Sequence, residues 1–233
     1  MARTRDKYPH PIIALPFSEW KMDYQVLPIN EQSFNQLYTH ILSKNRLRSL
    51  KHKKQDKKLH ISTLNGGVDL YTLKPIDPND TNNHIDHIFE LQCFAYIVAS
   101  ALHNIDKFDD NGQQIFSKIR NQLVKVINAD FNLNITDKTI NLVKMNIFKT
   151  FLRLLRTDSH CTLRSLLDNC NSFTPNIDVF YCCLKDVCQK IKIKLQEYIG
   201  NINCNNPSLH IIKSVFIKIL NEFCVFCHLM KIE

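Results

Sequence analysis

His84-Ile-Asp-His-Ile-Phe-Glu-Leu-Gln92 is the stretch on which the fold of this chain turns. Its first half has the character of a short strand, and the apolar residues beyond Phe89 continue as a helix ending near His103. Neighbouring side chains on a strand point to opposite faces, so Asp86 and His87 address different sides of one element. One can hold a cation while the other activates a water beside it. Some 50 residues later comes Asn132-Leu-Asn-Ile-Thr-Asp-Lys-Thr-Ile-Asn-Leu-Val-Lys144. Its start reads as a turn or short strand. Thr136 or Asp137 then suits the N-cap of a helix carrying Ile140, Val143, Ile147, Phe148, Phe151 and Leu155. On that helix Asn141 and Lys144 lie one turn apart on one face. An amide oxygen beside a carboxylate completes a site for a hard ion, and a nearby ammonium holds a phosphate.

This combination, Asp86-His87-Ile followed by a late helical Asn141-x-x-Lys144, resembles the HNH, or ββα-metal, endonucleases. It is similar in particular to eukaryotic and viral members with a helical insertion between the strand and the final helix. The resemblance covers roughly residues 84–150. It implies a metal-dependent endonuclease that hydrolyses phosphodiester bonds, in DNA before RNA, with His87 as general base. Asp86 and Asn141, with help from His84, would bind one Mg²⁺ or Mn²⁺ that stabilises the phosphate and the departing oxygen. Asn132, or Asn128, would hold the His87 ring in its working tautomer, and Lys144 would contact the phosphate. Glu90 and Gln92 match the pattern without a firm role. Two features depart from it: His87 and Asn141 are 54 positions apart, and Met145 stands where a Gly often follows the helix Lys.

The charge is lopsided. Of the net +8, residues 1–60 carry +7, residues 61–156 none and residues 157–233 only +1. The excess gathers in Lys44 to Lys58, with Arg46, Arg48, Lys51, Lys53, Lys54, Lys57 and Lys58 as nucleic-acid contacts. Such a run suits a polyanion because each phosphate contact releases condensed counterions. It also suits a nuclear import signal, and a solvated helix end that touches nothing. No stretch reaches the ~18 uncharged apolar residues of a membrane span, and no signal peptide is visible, so an intracellular residence, cytoplasmic or nuclear, is expected.

Around this centre the chain reads as α+β and predominantly α-helical, a small ββα-metal finger within a helical domain. Residues 1–60 form a basic arm with one amphipathic helix over 31–43, residues 61–156 the core with its insertion, and residues 157–233 a helical, Cys-rich region that offers itself to a protein partner. His60–Leu64 and Val68–Leu73 flank Asn65-Gly-Gly67, a hairpin signal. Ile115 to Ile127 marks a further helix, and helices follow at Leu163–Cys170, from Thr174-Pro175 to Gly200 as C-cap, and from Ser208 onward. Eight of nine cysteines lie beyond residue 160. Reduced thiols packed as small hydrophobes are expected, with Cys224-x-x-Cys227 as a minor redox candidate.

A second class of function competes: a helical interaction or nucleic-acid-binding protein, viral or host-directed, in which Asp86 and His87 serve structure alone. The two classes part on geometry. A nuclease brings Asp86, His87 and Asn141 to one solvent-open point; an interaction protein scatters them.

Overall fold

A computed structural model describes residues 54–102, 110–155 and 162–231. The expected helix over 31–43 and the candidate contacts Arg46, Arg48, Lys51 and Lys53 lie outside these residues, as does Cys161.

The fold is mostly helical with one small antiparallel sheet. Helix α1 (Lys54–Leu64) leads through a loop to strand β1 (Asn83–His87). Helices α2 (Leu91–Leu102) and α3 (Asp110–Ile127) follow, then a 3-10 turn at Asp130–Asn132 and strand β2 (Leu133–Asp137). Helix α4 (Lys138–Leu154) leaves the strand directly, and α5 (Leu163–Asp168), α6 (Ile177–Asn201) and α7 (Pro207–Leu229) complete the chain. β1 and β2 pair with Asn83 opposite Asp137, Asp86 opposite Asn134 and His87 opposite Leu133. Strand, helical insertion, strand and helix thus make a ββα unit.

The expected hairpin at 60–73 is not formed. His60–Leu64 is the last turn of α1, and Asn65-Gly-Gly67 is its stop. Gly67 N–H donates to Ser62 O at 2.8 Å and Gly66 N–H to Thr63 O at 3.2 Å, the paired bonds of a Schellman motif. Gly66 takes the positive φ this stop demands, 68°, and Gly67 follows it at 75°. A hairpin turn and this stop ask for the same residues, which is why the stretch misleads. Gly200, expected as a cap, lies inside α6, which runs to Asn201. Asp137 caps α4, its side chain accepting from Thr139 N–H at 2.7 Å. Asn206 and Pro207 start α7 as cap and first-turn proline.

Helix α2 is apolar all round, with ten of its twelve residues buried, so it belongs in the interior. It packs along α7, and α7 against α6. One apolar core runs from Tyr71 to Met230 and therefore spans both the ββα unit and the C-terminal helices. Phe89, fully buried directly after β1, meets Phe223 and Phe226 of α7 at ring distances of 5.4 and 6.1 Å. On the other side of the sheet, Ile61 of α1 closes over Leu133 and Ile135. The cysteines described are free thiols; Cys93, Cys188, Cys224 and Cys227 are buried.

Candidate functional site

The alternation along β1 does separate Asp86 from His87. Asp86 turns toward the loop after α1 and toward α4, and its carboxylate is 4 % exposed. Tyr71 O–H donates to Asp86 Oδ2 at 2.6 Å, and Lys144 Nζ lies 2.6 Å from the same oxygen. Lys144 also reaches Glu90 Oε1 at 3.0 Å, donates to Tyr71 Oη at 3.3 Å and donates to the carbonyl of His87. The ammonium is fully buried, 5.5 Å from the Tyr71 ring centre and 5.9 Å from that of Phe148. Burial disfavours its charge, but Asp86 and Glu90 outweigh that, and its pKa is raised. Burial, and then the Asp86 carboxylate, push the Tyr71 phenol well above its ordinary value. Two carboxylates thus share one internal cation.

A second buried carboxylate stands behind this group. Asp69 accepts from Tyr71 N–H at 2.9 Å and Asn134 Nδ2 at 2.7 Å through one oxygen, and from Thr72 Oγ1 at 3.1 Å and Thr136 Oγ1 at 2.9 Å through the other. These donors fasten the 69–72 loop onto the sheet face that carries Asp86 and hold Tyr71 in place.

His87 points the other way, and its Nε2 lies 2.9 Å from Asn128 Oδ1. Asn128, at the end of α3, is therefore the ring's partner. Asn132 is not: its Oδ1 accepts from Phe89 N–H at 2.7 Å and its Nδ2 donates to Ile127 O at 2.8 Å and Phe89 O at 3.3 Å. A fully buried amide completes the backbone bonding where β1 ends, because backbone groups leaving a strand need partners. Lys144 likewise has no access to a phosphate. Asn141 stands half-exposed outside the ring of contacts around Asp86, and His84 is exposed near the far end of β1. Glu90 gains a role as the second carboxylate on Lys144, and Gln92 donates to Met145 O at 2.8 Å, tying α2 to α4.

A divalent ion of the Mg²⁺ type takes oxygen ligands and keeps several waters. The residues as arranged do not fit one. Asp86 is enclosed and already bears a cation and a phenol, while Asn141 is half-exposed and His84 is exposed, outside that buried cluster. Among the described residues no group of three or more His, Cys, Asp or Glu gathers as metal ligands.

The end of the basic run is partly spoken for. Lys57 pairs with Asp130, and His60 Nε2 lies 2.9 Å from the same carboxylate. Lys58 donates to Asp80 O at 3.1 Å. Burial works against the charge of Asp130, but Lys57 and His60 hold its carboxyl below the usual value. Lys54 opens α1; its side chain is outside the described residues. Among the described residues no helix is long and apolar enough to cross a membrane.

No protein-family model, curated protein or solved structure matches this chain.

Proposed function

We propose that this protein binds nucleic acid, DNA before RNA, without cleaving it, on a ββα scaffold whose cation position is filled from within. The observation that carries this reading is the Lys144 ammonium, fully buried between Asp86, Glu90 and Tyr71. A hydrolytic ββα site needs that carboxylate open to a metal and to solvent; here it neutralises a lysine. The basic run supplies the affinity for a polyanion, and α1, which ends that run, is anchored to the sheet through Ile61. The hydrolytic reading draws on a different observation, His87 at the end of a strand with its ring held by Asn128.

The test is one assay of supercoiled plasmid and single-stranded nucleic acid with Mg²⁺, Mn²⁺ or a chelator, for wild type and His87→Ala. Salt-sensitive binding with intact plasmid under all three conditions is the expected result. Metal-dependent nicking that disappears in His87→Ala would overturn it in favour of an endonuclease with His87 as base. Neither binding nor cleavage would leave a helical interaction protein.

A further inference from the structure

The sheet is polarised in charge along its length. At the Asn83–Asp137 end lies a cavity of about 420 Å³ whose lining carries Asp69, Asp77, Asp80 and Asp137 against one lysine, Lys74. At the His87–Leu133 end, about 13 Å away for four residue steps of strand, the chain arrives from α3 with cations. Lys118, Asn121, Lys125 and Asn128 recur at i, i+3, i+7 and i+10, so they share one face, opposite the buried Ile119, Leu123 and Val126. Lys118, Asn121 and Lys125 are exposed, Arg120 flanks them, and no acidic residue occurs between Lys118 and Ala129. The two lysines form no ion pair among the described residues. Asp130, which follows, is paired with Lys57 and contacted by His60 of α1. That contact joins the C-terminal end of α3 to the helix that ends the basic run.

We propose that this polar face of α3, from Lys118 to Asn128, is a docking surface for the phosphate backbone of duplex DNA, continuous with the basic run through the Lys57–Asp130–His60 contact. The proposal rests on the nucleic-acid-binding reading and adds where the backbone lies. The stripe is about 15 Å long at the rise of an α-helix, room for about four phosphates of one strand. Duplex DNA is the partner assigned because its regular line of phosphates, one negative charge per about 1.7 Å of axis, complements a stripe of separated lysines. The acidic rim at the other end of the sheet repels the same backbone, so the duplex runs along α3 and away from the cavity.

The experiment is fluorescence anisotropy of a labelled DNA duplex with the full chain across a range of salt. Lys118→Glu with Lys125→Glu is compared with Lys74→Glu with Lys138→Glu, an equal change of charge on exposed residues at the acidic end. The α3 pair is expected to weaken binding about ten-fold or more and to lower the slope of log affinity against log salt by about 2. The control pair is expected to change both far less. Lys118→Gln with Lys125→Gln, which adds no repulsion, is expected to fall between. Circular dichroism confirms that each variant keeps its helices. Equal losses in the two pairs, or no loss in the α3 pair, would overturn the surface while leaving the binding reading intact. Absence of binding by wild type would remove both, and tighter binding of duplex RNA than of DNA would overturn the choice of partner.

Discussion

Two clusters of charge flank the same small sheet, built from nearly the same parts. Lys144 sits between Asp86 and Glu90 with every group buried, whereas Asp130 holds a half-buried Lys57 and an exposed His60, with the carboxylate itself 40 % exposed. The chemistry is alike and the solvent is not. In water an ion pair gains little beyond what hydration already gives each partner. Out of water, neither ion can be left alone without a cost of several kcal/mol. The first cluster therefore behaves as a structural joint, and the second as a tether that also masks a negative charge.

Removing the buried cation should break this comparison most sharply. Lys144→Met is expected to cost about 3–5 kcal/mol in chemical denaturation, because Asp86 and Glu90 are left sharing a closed site. Replacing all three by apolar residues of similar volume, Lys144→Met with Asp86→Leu and Glu90→Met, should recover most of that loss. Failure of the triple variant to recover would mean that the cluster does more than balance charge.

Alkaline pH sharpens the comparison next. In the unfolded chain a tyrosine ionises near pH 10 and a lysine loses its proton near 10.4. In the fold both Tyr71 and Lys144 hold their protons to higher pH. Above about pH 10 the folded state holds these two protons more tightly than the unfolded one, so the contribution of the pair, complete below that range, falls as pH rises. Buried Cys93, whose thiol burial also pushes up, adds a decline that starts at about pH 8.5. Thermal unfolding followed from about pH 7 to about 11 should decline most steeply above about pH 10, and Tyr71→Phe should shallow that part of the curve. A profile flat to the end would contradict the burial of this pair.

The smallest effect belongs to the surface cluster. Asp130→Asn should cost under about 1 kcal/mol and lose even that in high salt. As pH falls through the lowered pKa of Asp130 the same small contribution disappears. A loss comparable to that of Lys144→Met would show that α1 depends on this contact rather than on Ile61.

The periodic elements were legible in the sequence because their apolar spacing is long and regular. β1, α2, the second half of α3 and α4 with its Asp137 cap fall close to the positions expected. What deceived was local chemistry with two uses: Asn65-Gly-Gly67 serves a helix stop as readily as a hairpin. The site misled for a related reason. Lys144 stands one turn from Asn141 in the sequence, yet Ile140, Lys144, Ile147, Phe148, Phe151 and Leu155 follow one apolar stripe. A lysine at a core position of a helix is a sign of burial with carboxylates, and Asp86 and Glu90 were the acids at hand. Tyr71 and Asp69 left no such trace, since they come from an irregular loop whose path no periodicity describes. Asn128 and Asn132 could not be told apart as partners of His87, because the choice depends on where α3 ends and the 3-10 turn begins.

Ile88 N–H donates to Asn132 O at 2.9 Å, so the long excursion between the strands starts and finishes at a single hydrogen bond. An insertion with joined ends ordinarily sits outside a fold as an ornament that lineages lengthen, trim or lose. Here the excursion contains α2, ten of whose twelve residues are buried, which lies along α7. The hierarchy is reversed: the inserted segment is the trunk and the paired strands are the branch. A descendant of this chain can lose the chemistry of its strands and keep its shape, whereas trimming the insertion would remove the body itself.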